Sequence, residues 1–295
     1  MSLVINTNVA SLNAQRSLTA SGAELKTAME RLSSGKKINS ASDDAAGFAI
    51  AERMTAQIRG LNMAAKNAND GLSMLSTIEN ATNDITGMLH RMRELAVQGI
   101  NDTNGTQDRA YLQLEVDALM EEINRVASDT QYNGKSVLNG SLANTVDGSG
   151  NITAYGGQIQ VGTDANQTVG FGVNSVDTVA LSLSAAGTAE NHTTAAKEFV
   201  AGASQIDVSS AANASTSLAK ISAAIEQVAG DRAGYGALQN RLEYTVSNLL
   251  NVAEYTTAAR SRIEDADFAA ESARLAKAQV LQPVSYTHLT LPTKA

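Results

Sequence analysis

The sequence predicts a mainly α-helical protein in which both chain ends form a long antiparallel helical rod, a coiled-coil bundle, around a small β-rich variable middle region. The 295-residue chain has only two prolines, Pro283 and Pro292, so nothing before them forbids long helices. Aromatic residues make up 4% of the chain, which favours the thin core of a helical bundle. Residues 134–206 hold 11 of the 22 glycines but only 7 of the 52 charged residues, which separates a glycine-rich middle from two helical flanks.

The N-terminal flank repeats apolar residues at intervals of three and four, the period of an amphipathic helix. An unbroken helix is predicted from about Asp44 to Gly99, and a further helix follows the turn at 101–105. Ser40 and Asp43 fit a capping box, and the two aspartates place negative charge at the start of the long helix.

The C-terminal flank carries the longest heptad pattern, with fourteen positions from Leu218 to Ile263 of which ten are apolar, alanine or tyrosine. This pattern is typical of a coiled-coil seam. Three glycines, Gly230, Gly234 and Gly236, interrupt the pattern and each costs about 1 kcal/mol relative to alanine in a helix. Such glycines indicate places where another backbone comes close.

The middle region carries signals for short strands. Asn133-Gly134 and Asn139-Gly140 are pairs typical of hairpin turns. Residues 158–161 and 179–183 alternate apolar and polar side chains with period two, as half-buried strands do.

The composition argues against an enzyme. The net charge of −8 disfavours nucleic acid as a partner, since phosphate binding depends on basic residues. No cysteine is present, the three histidines (His90, His192 and His288) are far apart, and no phosphate-binding loop or nucleophile elbow occurs. We therefore predict no catalytic residue, no cofactor, no metal site and, because no apolar run reaches ~18 residues, no membrane insertion.

Two charged groups are candidates for chemistry. Asp43-Asp44 is a pair of adjacent carboxylates, and a helix cap explains it better than acid–base catalysis. Arg91, Arg93 and Glu94 form a charged cluster that is typical of a helix surface unless a partner protein docks there.

Several motifs in fixed order resemble bacterial flagellin over about 1–140 and 206–282. They are LSSG (32–35), INSA (38–41), DDAAG (43–47), RELAVQ (93–98), QYNG (131–134), GALQNRL (236–242), SRIEDADFA (261–269) and AQVLQ (278–282). The family alternative is the hook–filament junction (hook-associated) protein, which shares helical ends but matches these motifs less densely. The rival of another class is an enzyme or lectin-like module built on 134–206.

The resemblance implies a secreted subunit that self-assembles into the extracellular flagellar filament and serves swimming motility. Its implied partners are further copies of itself, a flagellar export chaperone and the type III export apparatus, the hook-associated and cap proteins, and the host toll-like receptor for flagellin. The implied division is an inner helical segment and spoke at 1–43, rod helices at 44–133, a hairpin and variable outer region at 134–206, a C-terminal rod helix at 207–263, the start of the C-terminal inner segment at 264–282 and a non-native tail at 283–295.

The resemblance also implies a contact surface for the receptor or for neighbouring protofilaments. By motif it maps onto Arg91, Leu95 and Glu115, with Arg93 and Gln98 beside them. Arg91 and Leu95 are four residues apart and are expected to share one helix face. Glu115 lies on the following helix, which is expected to fold back beside them.

The last thirteen residues depart from the family pattern and look like translated vector or frameshifted sequence. Pro283 is expected to end the helix before it, so that 283–295 is disordered. The N-terminal segment up to Leu32 would then lack its native helical partner and is expected to fluctuate or to find a non-native one. Polymerisation of this chain is expected to be weak or absent.

Overall fold

The computed structural model describes residues 9–143, 145–146, 152–154, 156–184 and 206–290. Within these ranges the helices are α1 (Val9–Ser34), α2 (Ala45–Ile100), α3 (Thr106–Asp129), α4 (Ala211–Glu264) and α5 (Phe268–Thr290). The strands are β1 (Gln131–Tyr132), β2 (Lys135–Ser136), β3 (Thr145–Val146), β4 (Ile152–Ala154), β5 (Gly157–Gln160) and β6 (Thr168–Phe171). The predicted mainly α class is confirmed, since α2 pairs with α4, α1 pairs with α5, and the middle holds only small antiparallel strand pairs.

The chain divides into two units. One contains residues 61–250, and the other contains residues 1–60 and 251–295. We call them the central unit and the terminal unit.

The core of the central unit is built from α2, α3 and α4. Helix α3 buries Val116, Met120, Ile123 and Ala127. Helix α4 buries a residue at every seventh position: Ala214, Ile221, Val228, Tyr235 and Leu242. The predicted coiled-coil seam of α4 is therefore confirmed in this segment for the series that contains Ile221, Val228, Tyr235 and Leu242. Ser217 and Ala224 fill the alternate buried positions, while Leu218 and Ile225 of the predicted pattern are only partly buried.

In the terminal unit, α1 packs along α5, and the segments that follow α1 and α4 are joined by backbone hydrogen bonds. The Lys37 amide donates to the Glu264 carbonyl at 2.6 Å, and the Ala266 amide donates to the Gly35 carbonyl at 2.9 Å. The prediction that the N-terminal segment lacks a native partner is thus wrong. It pairs with α5, and Ala28 and Ala278 are among the side chains buried in this unit.

Helix α5 continues to Thr290 and passes through Pro283. The prediction that the helix ends before Pro283 and that disorder follows is therefore wrong over 283–290. A proline removes one backbone hydrogen-bond donor, and the turns on either side can stay helical when the helix is held elsewhere. Residues 291–295 lie outside the described residues.

The long helix α2 begins at a two-aspartate cap. Asp44 Oδ1 accepts from the amides of Ala46 and Gly47 at 3.1 and 3.0 Å. Asp43 Oδ2 instead accepts from the Ser40 amide at 2.9 Å and from the Asn39 amide at 3.0 Å, and these bonds lower the pKa of Asp43. The predicted capping role of the aspartates is confirmed, but Asp44 caps the helix, while Ser40 and Asp43 close the turn before it.

Replacing Asp44 with alanine is expected to fray the first turn of α2, because two backbone amides lose their acceptor. The cost is about 1 kcal/mol. The Asp44→Asn variant should retain most of the stability, since asparagine caps helices as well as aspartate does. Hydrogen exchange at the Ala46 and Gly47 amides measures the effect directly. Equal protection in the Asp44→Ala and Asp44→Asn variants would contradict it.

The strand signals of the middle region are partly confirmed. β1 and β2 form a hairpin whose turn residues Asn133 and Gly134 have φ of 50° and 74°, as the Asn-Gly signal predicts. β5 covers most of the predicted strand at 158–161 and pairs antiparallel with β6. Asn139-Gly140 lies in a turn, with Gly140 at φ 81°, but no described strands flank it as a hairpin.

The predicted strand at 179–183 is wrong, because this segment is a series of turns. The Leu181 amide donates to the Asp177 carbonyl at 3.0 Å, and the Ala180 amide donates to Asp177 Oδ1 at 2.7 Å. Leu181 and Leu183 are buried and Ser182 has a φ of 58°. Leu181 and Leu183 are buried on either side of an exposed Ser182, but Val179, which the predicted strand would bury with them, is 46% exposed.

The β5–β6 hairpin rests on α2 at a glycine. A Cβ on Gly71 would collide with Ile159 Cδ1, so the bare helix surface makes room for this side chain. Asn67 Nδ2 donates to the Gln160 carbonyl at 3.3 Å beside it, and Tyr132 Oη donates to the Asp70 carbonyl at 3.2 Å. These contacts attach the middle region to α2.

Candidate functional site: the α2–α3 surface

The loop between α2 and α3 turns the chain back on itself. Arg109 Nε donates to the Gly99 carbonyl at 3.0 Å, and its Nη2 donates to the Asn101 carbonyl at 3.2 Å. Asn104 Nδ2 donates to the Gln98 carbonyl at 2.5 Å. Because these bonds satisfy the last carbonyls of α2, α3 starts beside the end of α2 and returns along it.

Arg91 and Glu115 meet across the two helices. Arg91 Nε donates to Glu115 Oε1 at 2.8 Å, and Arg91 Nη1 donates to Glu94 Oε2 at 3.0 Å. The bonds to Glu115 and then Glu94 raise the pKa of Arg91. The expectation that α3 brings Glu115 beside Arg91 is confirmed, and the three side chains form an exposed charged cluster.

Leu95 does not belong to this exposed face. Its side chain is 1% exposed and lies in the same buried cluster as Met92 and Val116. Four residues advance a helix by about 400°, so Leu95 is rotated about 40° from Arg91. That rotation is enough to move it from the surface into the core, and the expectation that both side chains share an accessible face is wrong.

Arg93 and Gln98 are exposed on α2, as the contact prediction requires. Three large apolar side chains that the sequence analysis missed are exposed on the same pair of helices: Val97 at 51%, Tyr111 at 61% and Leu114 at 66%. Tyr111 and Leu114 are out of phase with the buried stripe of α3, and this phase difference is the signal that could have identified them. We call the exposed set the α2–α3 surface; it comprises Arg91, Glu94, Val97, Gln98, Tyr111, Leu114 and Glu115.

The described residues contain no group of three or more histidine, cysteine, aspartate or glutamate side chains placed to hold a metal ion. His90 is exposed on α2. Across the same described ranges, no helix combines the length and the apolar character that a membrane span needs.

These features are typical of a structural subunit. They are the paired terminal helices, the heptad seam, and an exposed surface that carries charged and apolar side chains. Two family profiles match this chain. One, the bacterial flagellin N-terminal helical region, matches residues 5–143, and the other, the bacterial flagellin C-terminal helical region, matches residues 218–291. The chain belongs to the bacterial flagellin family, whose members are structural proteins, and it is a subunit of the flagellar filament.

Individual relatives agree with this assignment. A flagellin from Halalkalibacterium halodurans is 38% identical over 287 residues, which covers 97% of this chain and 94% of that protein. Polar flagellin F from Vibrio parahaemolyticus is 33% identical over 368 aligned positions, which covers all of this chain and 98% of that protein. The C-terminal profile extends to residue 291, past Gln282, where the sequence analysis placed the end of the family pattern.

A solved structure shares the fold at lower identity. It comes from Vibrio parahaemolyticus, is described as a flagellar hook-associated protein, and superposes with a TM-score of 0.55 at 16% identity over 76% of this chain and all of that one. The fold is therefore common to flagellin and to that class of protein. Sequence identity over the whole length, and not the fold, assigns this chain to flagellin.

Proposed function

We propose that the chain is exported with the help of a flagellar chaperone through the type III apparatus and polymerises outside the cell into the extracellular filament. The growing filament would lie between hook-associated proteins at its base and a cap at its tip, and its rotation would drive swimming. Family membership supports the extracellular flagellum as the location. The proposed division assigns 1–43 and 264–282 to the inner segments, 44–133 and 207–263 to the rod, and 134–206 to the variable outer region.

The α2–α3 surface is the observation that carries the proposed contact role. It exposes Val97, Tyr111 and Leu114 on neighbouring helices, beside the Arg91–Glu115 pair. Exposed apolar side chains surrounded by polar groups are typical of a protein–protein contact. We infer that a neighbouring subunit covers this surface in the filament, and that the host toll-like receptor binds the same surface in the monomer. Arg91, Gln98 and Glu115 are the proposed polar contacts of this surface, and Leu95 supports them from the core. Arg93 is a proposed contact on α2 outside this surface.

Replacing both Arg91 and Glu115 with alanine is expected to weaken receptor activation by monomer without unfolding the central unit. Both side chains are about half exposed, so solvent screens their ion pair and its contribution to folding is small. The matched control is Arg125→Ala, which removes an exposed α3 arginine paired with Glu122. A cell-based activation assay with the receptor measures the effect.

Activation that falls equally in the Arg125→Ala control, or that stays unchanged in the double variant, would contradict the contact role. Loss of activation accompanied by loss of the folded state would assign these residues to stability instead.

Three glycines of α4 support a second subunit contact. A Cβ on Gly230, Gly234 or Gly236 would meet no atom within 4 Å in the described part of the chain. The expectation that another backbone approaches them is therefore wrong within the monomer. Each glycine costs the helix about 1 kcal/mol relative to alanine. No contact among the described residues explains why glycine occurs at these three positions. We infer that a neighbouring subunit approaches α4 here.

Gly234→Ala is expected to stabilise the monomer by about 1 kcal/mol, because helix propensity improves and nothing is displaced. Filament formation should weaken, since the added methyl group would obstruct the neighbouring backbone. The matched control is Gly87→Ala on α2, a helical glycine that also has nothing within 4 Å but stands alone, whereas the three α4 glycines fall within seven residues. It should stabilise the monomer equally and leave assembly unchanged. Thermal unfolding and filament sedimentation measure both effects, and normal sedimentation of the Gly234→Ala variant would refute the contact.

A further inference from the structure

A polar cluster in the central unit joins α4 to the loop at 172–176. Asn174 Nδ2 donates to Asp231 Oδ1 at 2.8 Å. The same loop is held by backbone bonds to the segment at 137–143, since the Val173 amide donates to the Leu142 carbonyl at 2.8 Å and the Val176 amide donates to the Leu138 carbonyl at 3.2 Å. Asn174 is therefore a polar link between this loop layer and α4.

Two oxygen atoms of this cluster are buried without a hydrogen-bond partner among the described residues. They are Asp231 Oδ2 and Tyr235 Oη, and Tyr235 as a whole is only 5% exposed. Both side chains lie against Asn174, and the Asp231 charge acts on the Tyr235 phenol, so the two face the same region. An orphaned buried oxygen is costly, because it has given up its hydrogen bonds to water without replacement.

Within the described part of the chain, no positive charge compensates the Asp231 carboxylate. Asp231 forms no ion pair there, not even with the adjacent Arg232. Tyr235 is the one titratable residue on which the Asp231 charge has a described effect. The Asp177 carboxylate of the following turn is occupied by the Ala180 amide. Burial raises the pKa of Asp231 against the opposing bond from Asn174. Burial followed by the Asp231 charge raises the pKa of Tyr235, against the opposing effect of the Asn174 backbone, which faces the phenol.

We propose that Asp231 is a proton-binding site through which mild acid tightens the contact between α4 and the 172–176 loop. One proton taken from solvent would convert Asp231 Oδ2 into a hydroxyl donor. After a side-chain rotation that hydroxyl donates to Tyr235 Oη, so that a single proton satisfies both orphaned oxygens. Asp231 Oδ1 continues to accept from Asn174, and the uncompensated buried charge disappears.

The direction of the pH dependence follows from linkage. An aspartate in an unfolded chain titrates near pH ~3.9, and a higher folded-state pKa means that the folded state binds the proton more tightly. The stabilisation is therefore fully present below the unfolded pKa and is lost as pH rises through the folded pKa. Each unit by which the folded pKa exceeds the unfolded one changes the folding equilibrium constant by about tenfold.

The test is carboxyl titration of the full chain by NMR. It is combined with amide exchange at Val173 and Val176 and with unfolding equilibria. All three are measured from about pH 4 to about pH 7, the range above the ordinary aspartate pKa. Asp231 is expected to titrate above the ordinary aspartate range, with exchange slowing in acid after correction for intrinsic rates. Asp231→Asn, which imitates the neutral acid, should remove this pH dependence and stabilise the central unit at neutral pH. Asp84→Asn on α2, an exposed aspartate, is the control that should change neither.

Tyr235→Phe decides the direction of the proposed hydrogen bond. If protonated Asp231 donates to Tyr235, phenylalanine removes the acceptor and lowers the pKa of Asp231. If instead the phenol donates to the ionised carboxylate, phenylalanine raises that pKa, and the proposal is overturned. Titration of Asp231 in the ordinary range, or an unchanged pH dependence in Asp231→Asn, overturns it as well.

Discussion

Leu95→Ala is expected to destabilise the central unit by about 2–5 kcal/mol, one of the two largest effects foreseen for a single substitution in this chain. The side chain is 1% exposed and belongs to the main buried cluster, so truncation removes buried apolar surface and leaves a cavity. A native stability of about 5–15 kcal/mol makes such a loss serious. Denaturant unfolding should show a lower midpoint with an unchanged slope.

The same substitution separates the core role of Leu95 from the contact role that its family motif implies. Leu114→Ala is the matched control, because Leu114 is 66% exposed on α3. Leu114→Ala should leave the unfolding midpoint nearly unchanged and weaken partner binding. Leu95→Ala should change binding only in proportion to the folded fraction. A Leu95→Ala protein that is as stable as wild type but fails to bind would show that Leu95 is a direct contact.

Glu271→Gln is expected to release α1 from α5. The carboxylate is buried and lies 3.7 Å from Arg31 and 3.1 Å from Arg274, so it holds the one buried ion pair between these helices that the described residues show. Arg31 Nε is already buried without a hydrogen-bond partner among the described residues. Loss of the carboxylate would leave the partly buried Arg31 guanidinium with the more distant charge of Asp43 alone, at a cost of about 3 kcal/mol.

That cost is large compared with the stability of a single pair of helices, which depends mainly on the packing of their apolar faces. Hydrogen exchange along α1 is the measurement, and protection should be lost in Glu271→Gln. Arg274→Ala removes the exposed partner of the same carboxylate and should cost less than about 1 kcal/mol. Protection in α1 that survives Glu271→Gln would mean that apolar packing alone holds the pair.

The long helices were predictable because their signals are local and repeated. The prediction from Asp44 to Gly99 agrees with α2 at Ala45–Ile100, since no proline or loop signal interrupts the apolar period. The heptad of α4 predicted Ile221, Val228, Tyr235 and Leu242 as buried, and all four are. The Asn133-Gly134 turn was predictable because few residue pairs adopt positive φ at both positions.

The failures concern properties that depend on three-dimensional packing. The depth of Leu95 depends on a rotation of about 40° around α2, and a spacing of four residues does not resolve it. The turns at 177–183 bury Leu181 and Leu183 on either side of an exposed Ser182, as a strand would. Pro283 lies within a helix because pairing with α1 can support α5 beyond what its local sequence predicts. The charged contact between Arg91 and Glu115 was foreseen only through the family motif, since the residues lie on different helices.

Electron microscopy of the purified 295-residue chain tests the central claim most directly, that this protein is a filament subunit whose terminal helices pair. Because α1 has its partner in α5, the expected obstacle to polymerisation is absent from the described part of the structure. Contacts that repeat without closing generate helical filaments. We predict long filaments of uniform diameter that grow from sheared filament seeds, and that are lost in the Glu271→Gln variant. A chain that remains monomeric with seeds, or that forms only closed rings, would contradict the account.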